Sequence, residues 1–341
     1  MSTAASTYPD LPPEEVRQLA EQAVGRIATW TDASWDRDSS RVWRADGAQE
    51  GVWYVKIHQN TRFHHREVDA YRSWVPGLGT SAPTLVTSDS ALLAVVITTV
   101  PGRPLDGIDH PPEQQRLLFR QIGALAAAIH GSAAPLSAEE GMPALAKVER
   151  HLEAARPYLR PGDEVFIRQI VARAEAVPPL DRVPTHGDFQ LRNLLMDDDG
   201  SLAVIDFERS EPGPAIRDLV RLADAWATQP RLHDAFMSGY GRQLTPAEEE
   251  RFVVDSTLDA LSGIQYGATH ADVETQERGH RTLARLRSQG RNERRHACLT
   301  TPSRRSQPSR VRRPETNGKS TTCTCSGGTT AKWKQAARRS K

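Results

Sequence analysis

The segment VPTHGDFQLRNLLMDDDGSLAVIDFERSEPGPAIRD, Val183 to Asp218, constrains this chain more than any other. His186-Gly187-Asp188 opens its polar set, Asn193 follows, and Asp206-Phe207-Glu208 closes it. Two apolar runs, Leu194–Met196 and Leu202–Ile205, flank Asp197-Asp198-Asp199-Gly200, residue types that make turns. The pattern predicts a short antiparallel hairpin. Paired about that turn, Asn193 is expected to face Asp206, with both side chains at one mouth of the hairpin. Asp188 lies on the loop that enters it.

An amide oxygen beside a carboxylate is a hard-oxygen pair suited to Mg²⁺, which also takes phosphate oxygens and water. A further carboxylate nearby, Asp188, can accept a proton from an attacking hydroxyl, a division of labour found in phosphoryl transfer. Asp, Asn and Gly are also ordinary turn formers. The chemical reading therefore rests on the whole spacing H-G-D-x4-N-x12-D-F-E and not on one residue.

His186-Gly187-Asp188-Phe189-Gln190-Leu191-Arg192-Asn193 and Asp206-Phe207-Glu208 resemble the signature of the aminoglycoside phosphotransferase superfamily. These are small-molecule kinases with a protein-kinase-like fold, and choline and homoserine kinases are relatives. The resemblance covers residues 35–290 and is most specific over 183–218. It implies an α+β, bilobal fold with a small antiparallel-β N-lobe and a larger helical C-lobe. It implies Asp188 as catalytic base, Asn193 and Asp206 as magnesium ligands, and ATP and Mg²⁺ as cofactors. Asp218, in Ile216-Arg217-Asp218-Leu219, resembles a later Asp that supports the catalytic loop.

The chain has 341 residues, enough for two lobes and a sizeable core. Its near balance of charge conceals a split. Residues 291–341 hold 14 Lys/Arg against 2 Asp/Glu, while residues 1–290 hold 30 against 41. An acidic body suits a cationic substrate. The tail is rich in Ser, Thr, Arg, Gly and Pro without periodicity, and is expected to be disordered. A basic arm of this kind can also bind nucleic acid, but the body carries no such signal, so nucleic acid is not expected as a partner. Cys298, Cys323 and Cys325 all lie in the tail, which argues against a thiolate site in the fold. No run is apolar enough to span a membrane, and the N-terminus lacks a secretion signal. A cytoplasmic protein, with access to ATP, is expected.

Along the chain, Pro13 to Ile27 reads as a helix with Val16, Leu19, Ala20, Ala23 and Val24 on its apolar side. Arg41–Arg44 and Val52–Ile57 read as paired strands. Lys56 lies at the end of the second, before Ile57. Only it and Lys147 are lysines in the first 290 residues, where Arg is used everywhere else. A retained ammonium is a point-charge phosphate binder for which Arg does not substitute freely; a solvated strand end is the plain alternative. Thr61 to Trp74 reads as a helix carrying Glu67, which the resemblance pairs with Lys56; Asp69 is the fallback. His64 and His65 are adjacent on that helix and point apart, which disfavours a metal pair.

Thr84–Ser88 and Ala91–Thr98 are two more expected strands. Thr99-Val100-Pro101-Gly102 then stops regular structure and resembles the hinge between lobes, where adenine would bond to backbone somewhere in Thr98–Val100. No G-x-G-x-x-G precedes Lys56; Ser39 and Ser40 occupy that loop and are candidate phosphate contacts. Helices are expected over 113–130, 138–158, 163–176, 215–228, 230–242, 246–266 and 270–289. His130 and His186 are read as structural.

These readings divide the chain into an N-terminal helix and arm (1–34), a nucleotide-binding lobe (35–100), a helical catalytic lobe (101–290) and the tail. The expected function is ATP-dependent phosphorylation of a hydroxyl on a cationic small molecule, an aminoglycoside or similar antibiotic. A metabolic kinase of the choline, homoserine or sugar type is the alternative, and a non-catalytic nucleotide- or nucleic-acid-binding protein is a third. Glu208, Asp224, Asp255, Asp259 and Asp272 are candidates for an acidic acceptor wall, with Glu208 foremost.

Overall fold

The first strands form where β-branched and aromatic residues alternate on either side of short polar turns. The computed structural model describes residues 11–34, 40–138, 145 and 148–300. Helix α1 (Glu14–Val24) begins behind Pro13 with two acidic residues in its first turn, where they complement the helix dipole. It stops at Gly25, so the expected extension to Ile27 is corrected: Ile27 instead begins strand β1 (Ile27–Asp32). Strands β2 (Arg41–Gly47) and β3 (Val52–Ile57) pair antiparallel, with Trp43 opposite Val55. Asn60 caps α2 (Thr61–Ser73) by accepting a 3.0 Å hydrogen bond from the Phe63 N–H. Strands β4 (Leu85–Asp89) and β5 (Ala94–Thr98) complete an antiparallel sheet of order β1-β2-β3-β5-β4.

Strand alternation divides that sheet's faces. Ala45, Val55, Ala94 and Val96 pack with Val16 and Ala20 of α1. Val95 and Ile97 face the larger core with Val68 and Tyr71 of α2. Lys56 shares the second face, as does half-buried Tyr54 two residues earlier.

Beyond β6 (Arg103–Pro104) the chain is mainly helical: α3 (Pro112–His130), α4 (Val148–Ala155) and α5 (Asp163–Ala174). Residues 139–144, 146 and 147, within the helix expected from 138, lie outside the described residues. Four short strands follow: β7 (Val183–Thr185), β8 (Leu194–Met196), β9 (Leu202–Val204) and β10 (Glu211–Gly213). Helices α6 (Leu219–Trp226), α7 (Pro230–Tyr240), α8 (Pro246–Thr269) and α9 (Val273–Thr300) complete this part. A Thr245–Glu248 capping box starts α8.

Strand β8 joins β6 and β9, while β7 pairs with β10. These short ladders hold the 183–218 segment between the sheet and the helices. The architecture is therefore α+β, an antiparallel N-terminal lobe and a larger helical C-terminal lobe, as expected. Ser39 and residues 301–341 of the basic tail lie outside the described residues. Among the described residues, no helix is long and apolar enough to cross a membrane.

Candidate active site

The loop entering the hairpin is fixed from beneath by Asp218. Its Oδ2 accepts from the His186 N–H at 2.8 Å and its Oδ1 from the Gly187 N–H at 2.7 Å. His130, ending α3, lies 3.1 Å from Asp218 Oδ2 through Nε2 and 2.9 Å from the Tyr240 hydroxyl through Nδ1. Burial alone would raise the Asp218 carboxyl, but His130, His186 and these hydrogen bonds hold it below its ordinary value. His186 is itself buried. Its Nε2 bonds to the Ile205 carbonyl at 2.9 Å and its Nδ1 accepts from the Asp188 N–H at 3.2 Å. Both ring nitrogens are thus used in shaping the loop.

Gly187 has φ of 77°, and a Cβ there would meet the Arg209 carbonyl oxygen at 2.1 Å. Only glycine permits that close approach.

The hairpin forms, but one step out of the expected register. Leu194 pairs with Val204 and Met196 with Leu202, so Asn193 faces Ile205, whose N–H reaches the Asn193 carbonyl at 3.0 Å. The expectation that Asn193 faces Asp206 across the ladder is therefore corrected. Asp206 lies just beyond, with φ of 72°. A non-glycine residue in this left-handed region is strained by about 1 kcal/mol or more. Here its carboxylate reaches Lys56.

Lys56 is the centre of the site. Its Nζ lies 2.6 Å from Asp206 Oδ1, 2.8 Å from Glu67 Oε2 and 3.0 Å from Glu208 Oε2. Burial would push the ammonium down, but these carboxylates hold it well above its ordinary value. Glu67 is completely buried. Burial pulls its carboxyl up, and Lys56 and His58 outweigh this to bring it to about 2. Its other oxygen, Oε1, accepts from the Phe207 N–H at 3.3 Å. Burial and the neighbouring Glu208 and Glu67 raise Asp206, against the pull of Lys56.

His58, which the sequence reading did not single out, supports this cluster. Its Nε2 lies 2.5 Å from Glu67 Oε2 and its Nδ1 3.0 Å from the Leu93 carbonyl. His58, Glu67 and Glu208 could together hold a metal ion, but the Lys56 ammonium already sits on both carboxylates. His64 turns elsewhere, its Nε2 3.3 Å from the Ala94 carbonyl. Ser40 donates to Glu208 Oε2 at 2.6 Å.

Asp188 is also buried and closely wrapped. Arg221 Nη1 and Gln190 Nε2 meet its Oδ1, the latter at 2.7 Å. Arg192 Nη2 and Asn193 Nδ2 meet its Oδ2 at 2.8 and 3.2 Å. Burial opposes ionisation, but Arg221, Arg192 and Arg209 hold Asp188 far below the usual carboxylate range.

The donor set fits a hard divalent cation. Asn193 uses Nδ2 to donate to Asp188, including its carbonyl at 2.9 Å. Its amide oxygen accepts no hydrogen bond among the described residues, and neither does Asp206 Oδ2. Three carboxylates around one ammonium also leave negative charge for a cation to balance. At the expected hinge, the Thr98 N–H is taken by the Thr84 carbonyl at 2.9 Å. The Val100 N–H and carbonyl meet no partner among the described residues.

Of the candidate acidic wall, Glu208 faces Lys56. Asp224 lies 3.5 Å from Arg281, Asp255 2.9 Å from Arg251, Asp259 3.0 Å from Arg221, and Asp272 2.8 Å from the Thr275 hydroxyl. Each is already engaged.

The profile of the phosphotransferase enzyme family matches residues 29–252. The chain belongs to that family. None of the curated proteins compared matches the sequence of this phosphotransferase. Among solved structures, it resembles choline kinase LicA from Streptococcus pneumoniae, with 15% identity and a TM-score of 0.57, over 80% of this chain and 98% of that one. A choline/ethanolamine kinase family protein from Mesorhizobium loti has 20% identity and a TM-score of 0.59, over 85% and 95% of the two chains. A spectinomycin phosphotransferase, solved with ADP and spectinomycin, has 13% identity and a TM-score of 0.59, over 82% and 98%. At these identities the likeness speaks for the fold, which is protein-kinase-like.

Proposed function

We propose that this phosphotransferase moves the γ-phosphoryl group of ATP to a hydroxyl of a small molecule. The observation that carries the reading is the convergence of Lys56, Glu67 and Asp206 beside the loop bearing Asp188 and Asn193. Lys56, held by Glu67, takes the α- and β-phosphates as a point charge. Residues 35–100 supply the nucleotide side, with Val100 offering backbone groups to adenine and Ser40 a hydroxyl to phosphate. Thr98 contributes shape more than its N–H, which the Thr84 carbonyl already takes. Tyr54, on the Lys56 face of the sheet, offers a ring to the base.

Asn193 and Asp206 would hold Mg²⁺, which would supply positive charge to offset that of the transferring phosphoryl group. Asp188 orients the acceptor hydroxyl and takes its proton. A carboxylate held so far below neutrality is a weak base, so its contribution is placement and late proton acceptance. The aminoglycoside reading of the acceptor draws on the acidic excess of residues 1–290. Antibiotic and choline enzymes both stand among the structural relatives, so the fold favours neither.

The test is calorimetric binding of ADP with and without Mg²⁺. Metal-dependent binding weakened about tenfold or more in Lys56→Met is expected, on the scale of a charge-assisted contact. Folded protein that binds no nucleotide would refute the proposal.

A further inference from the structure

We infer that the acceptor carries an anionic group, a carboxylate or a phosphate, close to the hydroxyl that is phosphorylated. This deepens the kinase reading above and rests on it. The ground is the set of guanidinium groups gathered beside Asp188.

Arg221 reaches Asp188 from α6. Its Nε is held by Asp259 of α8 at 3.0 Å, and Asp259 is paired with Arg278 of α9 at 3.2 Å. A row of alternating charge thus runs from Asp188 into the helical lobe. Arg221 Nη2 bonds to none of the described residues. Arg209, immediately after Glu208, lies over the Phe63 ring at 5.3 Å and pairs with no carboxylate among the described residues. Its backbone packs against Gly187, so it stands directly beside the catalytic loop. Next to it, Arg66, Arg217 and Arg62 share one carboxylate, Glu211, the last two at 2.5 and 3.6 Å. Burial, and then the charges of Arg62, Arg217 and Arg209, push the Arg66 guanidinium down to about 10.

A cationic acceptor would meet like charge here, and the nearby acids that could receive it are engaged. An anion would be attracted, and the planar guanidinium fork matches carboxylate and phosphate geometry. Guanidinium groups would also offset the repulsion between an anionic acceptor and ATP. An anion drawing Arg221 or Arg192 from Asp188 would free a carboxylate oxygen for the hydroxyl. The step balances: the acceptor oxygen bonds to the γ-phosphorus, the bond from the γ-phosphorus to the bridging oxygen breaks with its electron pair going to ADP, and the hydroxyl proton passes to Asp188.

The test uses the full chain with Mg-ATP and acceptors matched in size but not charge. Glycerate and gluconate are the carboxylate arm, and glycerol 3-phosphate and glucose 6-phosphate the phosphate arm. Glycerol and glucose are neutral, and choline and kanamycin cationic. Turnover confined to one anionic arm is expected. The acceptor KM should rise about tenfold or more in Arg209→Gln, with partial recovery in Arg209→Lys and the KM for ATP changed less than about twofold. Preferred turnover of a neutral or cationic acceptor would overturn the inference. So would an unchanged acceptor KM in Arg209→Gln, or a rise confined to the KM for ATP, which would assign the guanidinium to the γ-phosphate. Saturable nucleotide binding with no anion turned over would also count against it. Loss of nucleotide binding altogether would instead overturn the kinase reading.

Discussion

Glu208 Oε2 lies 3.0 Å from Lys56 Nζ and also accepts from Ser40 Oγ at 2.6 Å. One carboxylate therefore caps both groups on which a phosphate would rest. In Glu208→Gln the negative charge that nucleotide must displace is gone. Metal-free ADP should bind about fivefold more tightly, the scale of about 1 kcal/mol for a partly screened charge. Titration calorimetry without Mg²⁺ measures this, and weaker binding would show that Glu208 assists the nucleotide.

Glu67 is gripped by Lys56, His58 and the Phe207 N–H inside the core. Glu67→Ala leaves the ammonium and imidazole without this carboxylate, which should destabilise the fold by about 3 kcal/mol. It should also raise the KM for ATP, because Lys56 is no longer held in place. Urea unfolding and initial rates measure the two effects; a variant as stable as the wild type would contradict the account.

The same carboxylate sets an acid limit. Its folded value of about 2 lies below the ordinary 4.5. The stability it contributes is therefore fully present above about pH 4.5 and is lost as the pH falls toward 2. Asp188 and Asp218 are also depressed and act in the same direction. Unfolding free energy measured from pH 7 downward should fall below about pH 4.5, and Glu67→Gln should shed part of that slope. An equal slope in the variant would show that Glu67 does not carry it.

Two glycines with similar backbones separate strain from collision. Gly187 and Gly200 have φ of 77° and 85°, but only at Gly187 would a Cβ strike the Arg209 carbonyl, while Gly200 faces open space. Gly200→Ala should cost about 1 kcal/mol from the backbone alone. Gly187→Ala should cost at least about 2 kcal/mol more and abolish turnover, since something in the loop bearing Asp188 must move. Equal losses in thermal unfolding would contradict this.

How far the sequence could be read depended on how local each signal was. Lys56 stood out by composition, and Glu67 and Asp206 by resemblance; the fold brings all three together across the sheet, α2 and the hairpin. The turn formers Asp197–Gly200 mark the hairpin but not its register: the loop also takes in Ser201, Met196 pairs with Leu202, and Asn193 falls opposite Ile205. Strand β1 gives little sequence signal, because it is an edge strand with little alternation in burial, joined closely to a helix. Strands β6, β7 and β10 are too short for any period to register. His58 and Arg221 carry no local mark, and only tertiary contact shows them on Glu67 and Asp188. The acidic excess suggested a cation site, but net charge says nothing of pairing, and the fold commits those acids to arginines and caps.

The most direct test of the central claim is phosphoryl transfer from Mg-ATP to acceptor hydroxyls by the wild type and by Asp188→Asn. The account predicts acceptor-dependent transfer that needs Mg²⁺ and falls at least about a hundredfold in the variant, while nucleotide binding is retained. Transfer undiminished in Asp188→Asn would contradict it.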